Sequence, residues 1–473
     1  MAWPYYATAQ RVSAIRAVEP GPAHEFASVD IREVSPQGGP FGLLPELGRD
    51  ALGLLTDARR DYGDLVRMRL GLTRTVLVSH PKLIEEVLVT RNHEYRKHLG
   101  ARRLGTLLGN GLLLSEGDFW LRQRRLMQPA FHRQRIQHMG ETMVSIASDA
   151  LDRWRDGEVR DVTGDMTEIT LQIAARTLFG SDVGPDMARI RASSFATTAH
   201  FRSRLFSMMI LLPDWVPTPG NLRFGRAMHD LNTLVFRIIR ERRSGATQSD
   251  DLLGMLLAAR DDTGQGMTNK QLRDEVMTLI LAGHDTTALA LNWALVLLAQ
   301  HPAVRARLQD EVDGVLNGRR PAADDVPRLP YVEQVVTETL RLFPTAWLLG
   351  REALRDTTIG GQRIAKRTTV LISPWVVQRD PRFFDEPDAF RPERWADGTL
   401  LQSLPRFAYA PFGGGQRVCI GSSFAQLEAM LLLACIAQRF SLSLLEPHTP
   451  VEPLPVITLR PKQPVKMRVV ARA

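Results

Sequence analysis

Residues 412–421, Phe-Gly-Gly-Gly-Gln-Arg-Val-Cys-Ile-Gly, place three consecutive glycines just before Cys419, one of two cysteines in the chain. Glycine has no Cβ atom, so this run adopts backbone conformations closed to other residues and lets a flat ligand approach closely. The following residues, 422–440, are strongly apolar and predict a buried helix. Backbone N–H groups at the start of that helix would stabilise a thiolate, the form of cysteine that binds metals. An inert cysteine in a turn is the alternative reading of this stretch taken alone.

A second informative stretch is residues 275–300, which are almost continuously apolar except for His-Asp-Thr-Thr at 284–287. Its length suits a membrane span, but a central Asp costs about 2.5–3.5 kcal/mol on insertion scales. We therefore expect a core helix about 40 Å long. Burial of Asp285 and Thr286 requires hydrogen bonds or a function. The structural alternative for Thr286 is a hydroxyl that donates to the carbonyl of Ala282.

Composition excludes several classes of protein. With 473 residues, 44% of them hydrophobic, the chain is expected to bury a large core. Two cysteines cannot form a disulfide framework and have no zinc-motif spacing, and we interpret Cys435, among leucines, as a core residue. The net charge of +8 comes mostly from scattered arginines, so we expect no nucleic-acid partner. The first ten residues lack the pattern of a secretory signal, which predicts a cytoplasmic protein.

The pattern along the chain predicts a mainly α-helical protein with a small β part. Residues 1–42 are rich in Pro and Gly and predict an extended lead-in, whereas residues 43–473 are expected to form one domain. Short strands are expected at residues 65–70, 75–79, 357–373 and 441–471.

Residues 412–421 match the haem-binding signature FxxGxRxCxG, and on this basis the chain resembles the cytochrome P450 family of haem-thiolate monooxygenases. Three further motifs follow the family's order, AGHDTT at 282–287, ETLR at 338–341 and FRPERW at 390–395. The resemblance covers about residues 45–470. It implies the cytochrome P450 fold, with haem b between the long central helix and the helix after the cysteine loop.

The resemblance also implies the residues of the catalytic centre. Cys419 would be the iron ligand, because a thiolate pushes electron density to iron and favours O–O cleavage. Thr286 would stabilise bound dioxygen, and Asp285 would relay protons from solvent. Without the resemblance, the structural alternatives given above for Thr286 and Cys419 stay open.

A second group of residues would support the cofactor. By resemblance, Glu338, Arg341 and Arg394 form a buried charge triad that serves folding and haem retention, although an ExxR pair alone is equally typical of an exposed helix. Trp120 and Arg124 lie four residues apart, hence on one helical face. The residues expected to bind haem or its propionates are Trp120, Arg124, Arg351, Phe412, Arg417 and Gly421. A solvated surface residue is the alternative for each arginine.

The substrate pocket is predicted from the segments that the resemblance places near haem, including parts of 95–115 and 195–215. The residues expected to line it are Leu281, Ala282, Thr345, Ala346, Trp347 and Leu348. These segments are apolar, which favours a hydrophobic small molecule such as a terpenoid, a fatty acid or a polyketide-like compound of secondary metabolism.

The predicted function is monooxygenation of that substrate, with electrons from NAD(P)H. They would arrive through a separate ferredoxin or flavodoxin-like donor and its reductase, steered by Arg122, Arg125, Arg133 and Arg135, unless these form only a solvated basic face. We expect a monomer without a transmembrane anchor. A peroxide-driven peroxygenase and a non-catalytic haem sensor are the alternatives, and the retained Asp285 and Thr286 favour dioxygen chemistry.

Overall fold

The structure is a computed structural model that describes residues 31–34, 41–205, 213, 215–244, 251–260 and 264–472. The extended lead-in predicted for residues 1–42 lies outside these residues except at 31–34, 41 and 42. Among the described residues of this segment, Arg32 and Glu33 form a strand that pairs in parallel with the strand at 65–70, and Gly42 forms a bridge with Leu70.

Helices make up most of the described chain, which confirms the mainly α prediction. The helices are α1 (Leu44–Arg49), α2 (Ala51–Tyr62), α3 (Pro81–Glu85), α4 (Leu99–Arg103), α5 (Gly105–Leu108), α6 (Gly117–Met127), α7 (Arg133–Leu151), α8 (Val162–Phe179), α9 (Met187–Leu205), α10 (Pro219–Ser244), α11 (Leu252–Ala258), α12 (Asn269–Gln300), α13 (Pro302–Leu316), α14 (Pro330–Leu342), α15 (Pro374–Val377), α16 (Thr399–Ser403) and α17 (Ser422–Arg439). A single π-helical turn, Glu86–Thr90, continues α3.

The strands form one mixed sheet and three smaller ones. They are β1 (Arg32–Glu33), β2 (Leu65–Leu70), β3 (Thr73–Val78), β4 (Tyr95–Lys97), β5 (Val159–Asp161), β6 (Leu349–Ala353), β7 (Thr357–Ile359), β8 (Gln362–Ile364), β9 (Thr369–Ile372), β10 (Phe440–Leu444), β11 (Pro453–Pro455), β12 (Leu459–Pro461) and β13 (Lys466–Ala471). The mixed sheet has the order β1-β2-β3-β9-β6-β4, with β3 and β9 parallel and Val76 opposite Val370. Strands therefore occur in all four regions where the sequence predicted them.

Helix α12 is the long central helix that the sequence predicted. It begins at a capping box, in which Thr268 and Gln271 each bind the other's backbone N–H. By length and composition α12 is the one described helix that could cross a membrane, yet 72% of its most apolar window is buried inside the protein. It packs against α8, α14 and α17, so it is a core helix.

The glycines before Cys419 are required by contacts within the protein. Gly415 has φ +65°, and a Cβ atom there would collide with the carbonyl oxygen of Leu88 in the π-helical turn. A Cβ atom at Gly414 would collide with the ring of Phe407. The close approach inferred from the sequence thus exists at these two positions, but its partners are a backbone carbonyl and an aromatic ring of the same chain.

We predict that Gly415→Ala destabilises the protein more than an equivalent change at Gly398, which has φ +72° and no atom closer than 3.9 Å to an added Cβ. Both variants place Ala in the left-handed region, at about 1–2 kcal/mol. Gly415→Ala must also displace the Leu88 carbonyl, which adds about 1–3 kcal/mol of overpacking strain. Urea unfolding of both variants measures the difference, and equal losses would contradict this account.

Candidate active site

Cys419 lies between a short 3-10 turn, Gly415–Arg417, and the start of α17. Its backbone N–H donates to the carbonyl of Phe412 at 3.0 Å, which closes the loop. The residue is accessible to solvent, although the surrounding protein desolvates its thiol. A ligand can therefore reach a residue whose thiol is largely surrounded by protein.

Burial raises the pKa of the Cys419 thiol, and it outweighs the lowering by the Gly421 N–H and by Arg124. The sequence predicted that N–H groups at the helix start lower this pKa, and the Gly421 N–H does so, but burial has the larger and opposite effect. A coordinating metal cation deprotonates a thiol outright. The buried site consequently suits a metal-bound thiolate, and the Gly421 N–H is placed to tune the sulfur.

The polar interruption of α12 is satisfied largely within the helix. The Thr286 hydroxyl donates to the carbonyl of Ala282 at 2.8 Å, which is the structural alternative considered for the sequence. His284 is buried and donates through Nδ1 to the carbonyl of Ile280 at 2.6 Å. Leu281 is half-buried and Ala282 is exposed, so this part of α12 presents accessible apolar surface.

Asp285 reaches outside its helix. Arg460 Nη2 donates to Oδ1 and to Oδ2, both at 2.9 Å, and the Thr458 hydroxyl donates to Oδ2 at 2.9 Å. Both partners belong to the hairpin of β11 and β12 near the end of the chain, and the sequence prediction did not include either of them.

A buried acid between α12 and α17 was also missed by the sequence analysis. Glu428 on α17 is fully buried, and burial raises its pKa well above 4.5, with the neighbouring Thr287 hydroxyl acting in the opposite direction. Burial therefore favours the neutral form of this carboxyl group. Its placement in an apolar helix is the sequence signal that could have identified it.

The predicted charge triad is assembled as expected. Glu338 and Arg341 are fully buried, and Arg341 donates through Nε and Nη2 to the two carboxylate oxygens of Glu338, both at 2.8 Å. Arg394 Nε donates to Oε1 at 2.9 Å, and Trp395 Nε1 donates to Oε2 at 2.8 Å. Loss of one charge would leave its partner buried without compensation, at about 3–5 kcal/mol.

Arg417 and Arg124 lie beside the cysteine loop. Arg417 stacks over the ring of Trp120 at 4.0 Å, donates to the carbonyl of Ser115 at 2.7 Å and pairs with Glu116. Arg124 donates to the carbonyl of Val418 at 2.9 Å. Of the other predicted cofactor contacts, Phe412 is half-buried against the core, and Gly421 is the residue before α17.

Arg351 has two basic neighbours, Lys97 and His98, that the sequence did not predict. Lys97 lies directly opposite Arg351 in the antiparallel pairing of β4 and β6, and His98 follows it. Burial and the charges of Arg351 and Arg417 lower the pKa of Lys97 to about 7, while burial lowers that of His98 to about 4. Burial and Arg417 likewise lower the pKa of Arg351 to about 10, with Glu116 as the offsetting carboxylate.

The cations Lys97, Arg351 and Arg417 form an electrostatic arrangement that favours the binding of an anion. Like charges opposite each other on neighbouring strands are destabilising, and burial increases their repulsion. Two additional carboxylates would relieve it, which fits the two propionates of a haem. Residues Lys97, Arg351 and Arg417, brought together from three separate segments, are therefore suited to hold such groups.

The predicted substrate segment at 345–348 is only partly accessible. Ala346 and Leu348 are half-buried, and Thr345 is buried, with its carbonyl accepting the N–H of Leu459 at 2.9 Å. Trp347 is 2% exposed and packs in the core between α2 and the mixed sheet, where its indole N–H donates to the carbonyl of Val456. Trp347 thus has a packing role, in place of the predicted position on the pocket surface, because its indole finds its acceptor inside the core.

The first half of α12 holds the loop at 109–112. Asp274 accepts the N–H of Asn110, and the buried Glu275 accepts the N–H of Leu112, both at 2.9 Å. Burial raises the pKa of Glu275 to about 7, despite the opposing Leu112 N–H. The loop's attachment to α12 therefore depends on a carboxyl group that titrates near neutral pH.

The accessible cysteine, the polar interruption of a buried helix and the cluster of cations are features that would suit a haem-thiolate type of site. The family model for Cytochrome P450 matches residues 36–469. The chain therefore belongs to the cytochrome P450 family, whose cofactor is a haem held by a cysteine thiolate, and it is a monooxygenase.

Three relatives are bacterial enzymes of Streptomyces. The chain is 40% identical to "Cyclooctatin synthase" of Streptomyces melanosporofaciens, over 84% of this chain and 87% of the relative. It is 35% identical to "Pentalenene oxygenase" of Streptomyces avermitilis, over 87% and 91% of the two chains. It is 36% identical to "Cyclooctat-9-en-7-ol 5-monooxygenase" of Streptomyces melanosporofaciens, over 80% and 83%.

We predict that the wild-type protein loses stability as pH rises from about 4.5 to about 7, and that Glu275→Gln abolishes this loss. In this window the unfolded carboxyl, with a pKa near 4.5, releases its proton, while the folded carboxyl, with a pKa of about 7, retains it. Stability therefore falls as pH rises, by up to about 3 kcal/mol for this group. Gln keeps an acceptor for the Leu112 N–H, so the variant should gain stability at pH 8 and change little at pH 4.5.

The measurement is urea unfolding across this pH range, with Glu141→Gln, an exposed position on α7, as the matched control. The control should follow the wild-type pH dependence. Parallel curves for wild type and Glu275→Gln would show that Glu275 does not titrate in the folded protein as described.

Proposed function

We propose that the chain binds haem b through Cys419 and inserts one atom of dioxygen into a hydrophobic terpenoid. The observation that carries the proposal is the accessible, desolvated Cys419 thiol beside a cation cluster that lacks enough carboxylate. In this assignment Arg124, Arg417, Arg351 and Lys97 bind the propionates, and Trp120 supports Arg417. The bound haem supplies the activation of dioxygen and the transfer of oxygen to a C–H or C=C bond.

The overall reaction for a C–H bond consumes the substrate, dioxygen, NAD(P)H and one proton, and yields the alcohol, water and NAD(P)+. Two electrons and two protons thus accompany the second oxygen atom into water. In our proposal Asp285, whose side chain is 28% exposed, takes up protons from solvent. Thr286 passes them inward once its hydroxyl leaves the Ala282 carbonyl.

A terpenoid is the substrate class that the relatives favour. Their names refer to cyclooctatin, cyclooctat-9-en-7-ol and pentalenene, and enzymes with these names cover most of the present chain. The accessible Leu281 and Ala282 on α12 supply apolar contact surface, as a hydrocarbon ring system requires. Half-buried Ala346 and Leu348 extend the proposed contact surface.

The electron donor is proposed to be an acidic ferredoxin or flavodoxin-like protein with its reductase. Arg125 and Arg133 are exposed on and near α6, the helix that carries Trp120 and Arg124. Positive potential on this face would raise the rate at which an acidic protein associates. Both cysteines are free thiols, as is usual in the reducing cytoplasm, where we place the enzyme.

We predict that Cys419→Ser abolishes the carbon monoxide difference spectrum of thiolate-ligated haem, because a hydroxyl cannot replace the thiolate. Cys435→Ala, at the buried cysteine of α17, is the matched control and should keep that spectrum. Wild-type enzyme given labelled dioxygen, NAD(P)H, redox proteins and a cyclic terpene should incorporate one labelled oxygen atom. Turnover with peroxide alone, without response to redox proteins, would instead establish a peroxygenase, and absence of the spectrum would refute haem-thiolate ligation.

We predict that Arg125→Glu and Arg133→Glu together lower turnover at subsaturating ferredoxin by at least about tenfold at low salt, since steering contributes about 10- to 1000-fold to association rates. Arg74→Glu, an exposed position on β3, serves as control and should retain wild-type turnover. The difference should shrink as salt is raised, because exposed charges are screened. Turnover that is independent of salt and of both substitutions would contradict a docking role for this face.

A further inference from the structure

The hairpin of β11 and β12 contacts α12 at its polar interruption. Arg460 Nη2 donates to both carboxylate oxygens of Asp285 at 2.9 Å, and Thr458 adds a third hydrogen bond. The two side chains of the ion pair are only 25% and 28% exposed. Protons can therefore reach Asp285 from solvent, while both of its oxygen atoms are already acting as acceptors.

Two indole groups fix the hairpin in place. Trp293, inside α12, donates to the carbonyl of Leu459 at 3.1 Å, and Trp347 donates to the carbonyl of Val456 at 3.1 Å. The N–H of Leu459 donates to the carbonyl of Thr345. Arg460 is thus held between α12 and the segment that begins at Thr345, and it cannot simply follow Asp285 if the carboxylate moves.

The ion pair between Arg460 and Asp285 is weaker than one in which two guanidinium nitrogens bind the two carboxylate oxygens. An arginine usually binds a carboxylate with two nitrogen atoms and two parallel hydrogen bonds. Here a single nitrogen, Nη2, serves both oxygens, and the buried Nε of Arg460 has no hydrogen-bond partner in the described part of the chain. The Asp285 carboxylate can therefore rotate away after breaking contacts with one guanidinium nitrogen and one hydroxyl.

We infer that Arg460 is a positioning residue, which holds the Asp285 side chain in place between proton transfers and sets when Asp285 delivers a proton. The inference rests on the proton-relay role proposed for Asp285. In each transfer Asp285 leaves Arg460, accepts one proton from solvent and gives it to the Thr286 hydroxyl, whose own proton moves inward. The carboxylate then returns, ionised, to Arg460.

Two other groups facing Asp285 do not replace Arg460 in this role. His284, the adjacent residue on α12, is buried, and burial lowers its pKa, so it is neutral at neutral pH. Thr458 is uncharged. Arg460, from β12, is thus the cation in contact with Asp285 among the described residues.

The test compares Arg460→Met and Arg460→Lys, each with and without Asp285→Asn, in the haem-loaded enzyme. Product formed per NAD(P)H consumed should fall at least about threefold in Arg460→Met. Arg460→Lys should remain close to wild type, and Arg460→Met should have no further effect once Asp285→Asn is present.

An independent readout is urea unfolding of wild type, Arg460→Met, Asp285→Asn and the double variant, in which the effects of the two substitutions should be non-additive. Arg468→Met, an exposed arginine on β13, is the matched control and should keep the wild-type yield of product per NAD(P)H. The inference is overturned if Arg460→Met leaves this yield unchanged, if Arg460→Lys lowers it equally, or if Arg460→Met lowers it equally with Asp285→Asn present. Wild-type enzyme that shows the thiolate spectrum but gives no oxygenated product would instead refute the proposed function.

Discussion

The buried carboxylate of Glu338 is the constraint on which the part of the structure around α14 and the cysteine loop depends. A carboxylate with no solvent contact is tolerated only when donors surround it, and these donors come from α14 and from residues 391–395. Arg341, the main donor, also binds the carbonyls of residues 378, 387 and 389. Gln378 in turn accepts the N–H of Ala410, two residues before the cysteine loop begins. The hydrogen bonds that position the cysteine loop, and with it Cys419, therefore begin at the Glu338 carboxylate.

The other side of the site depends on an excess of positive charge. Lys97 and Arg351 are cross-strand neighbours, and Arg417 reaches the same region from the cysteine loop. With Glu116 as the offsetting carboxylate, their mutual repulsion lowers the stability of the fold. A ligand that carries two carboxylates would bind the folded state preferentially and stabilise it by mass action. Cofactor binding and folding are therefore expected to be strongly linked in this chain.

The sequence predicted those features whose partners are close in the chain or belong to a contiguous motif. Helices α12 and α17 follow from long, mostly apolar runs, and Glu338 and Arg341 are one helical turn apart. Lys97 was missed because only the pairing of β4 with β6 brings it to Arg351, more than 250 residues away. Trp347 was misplaced for a related reason: an apolar segment does not reveal that the indole N–H has its acceptor in the core. Such contacts depend on strand pairing and packing, which local pattern does not encode.

The polar side chains at 284–287 in α12 find their hydrogen-bond partners in two places, within the helix itself and on the hairpin of β11 and β12. His284, Thr286 and Thr287 all donate to carbonyls one turn earlier, so the helix itself accommodates them. A carboxylate cannot donate when ionised, and Asp285 must therefore find its donors on another element. Thr458 and Arg460 provide them, and Leu459 between them is bound to Thr345 and Trp293. The geometry of the acid in α12 is consequently set by the hairpin near the end of the chain, which also contacts the segment proposed to face substrate.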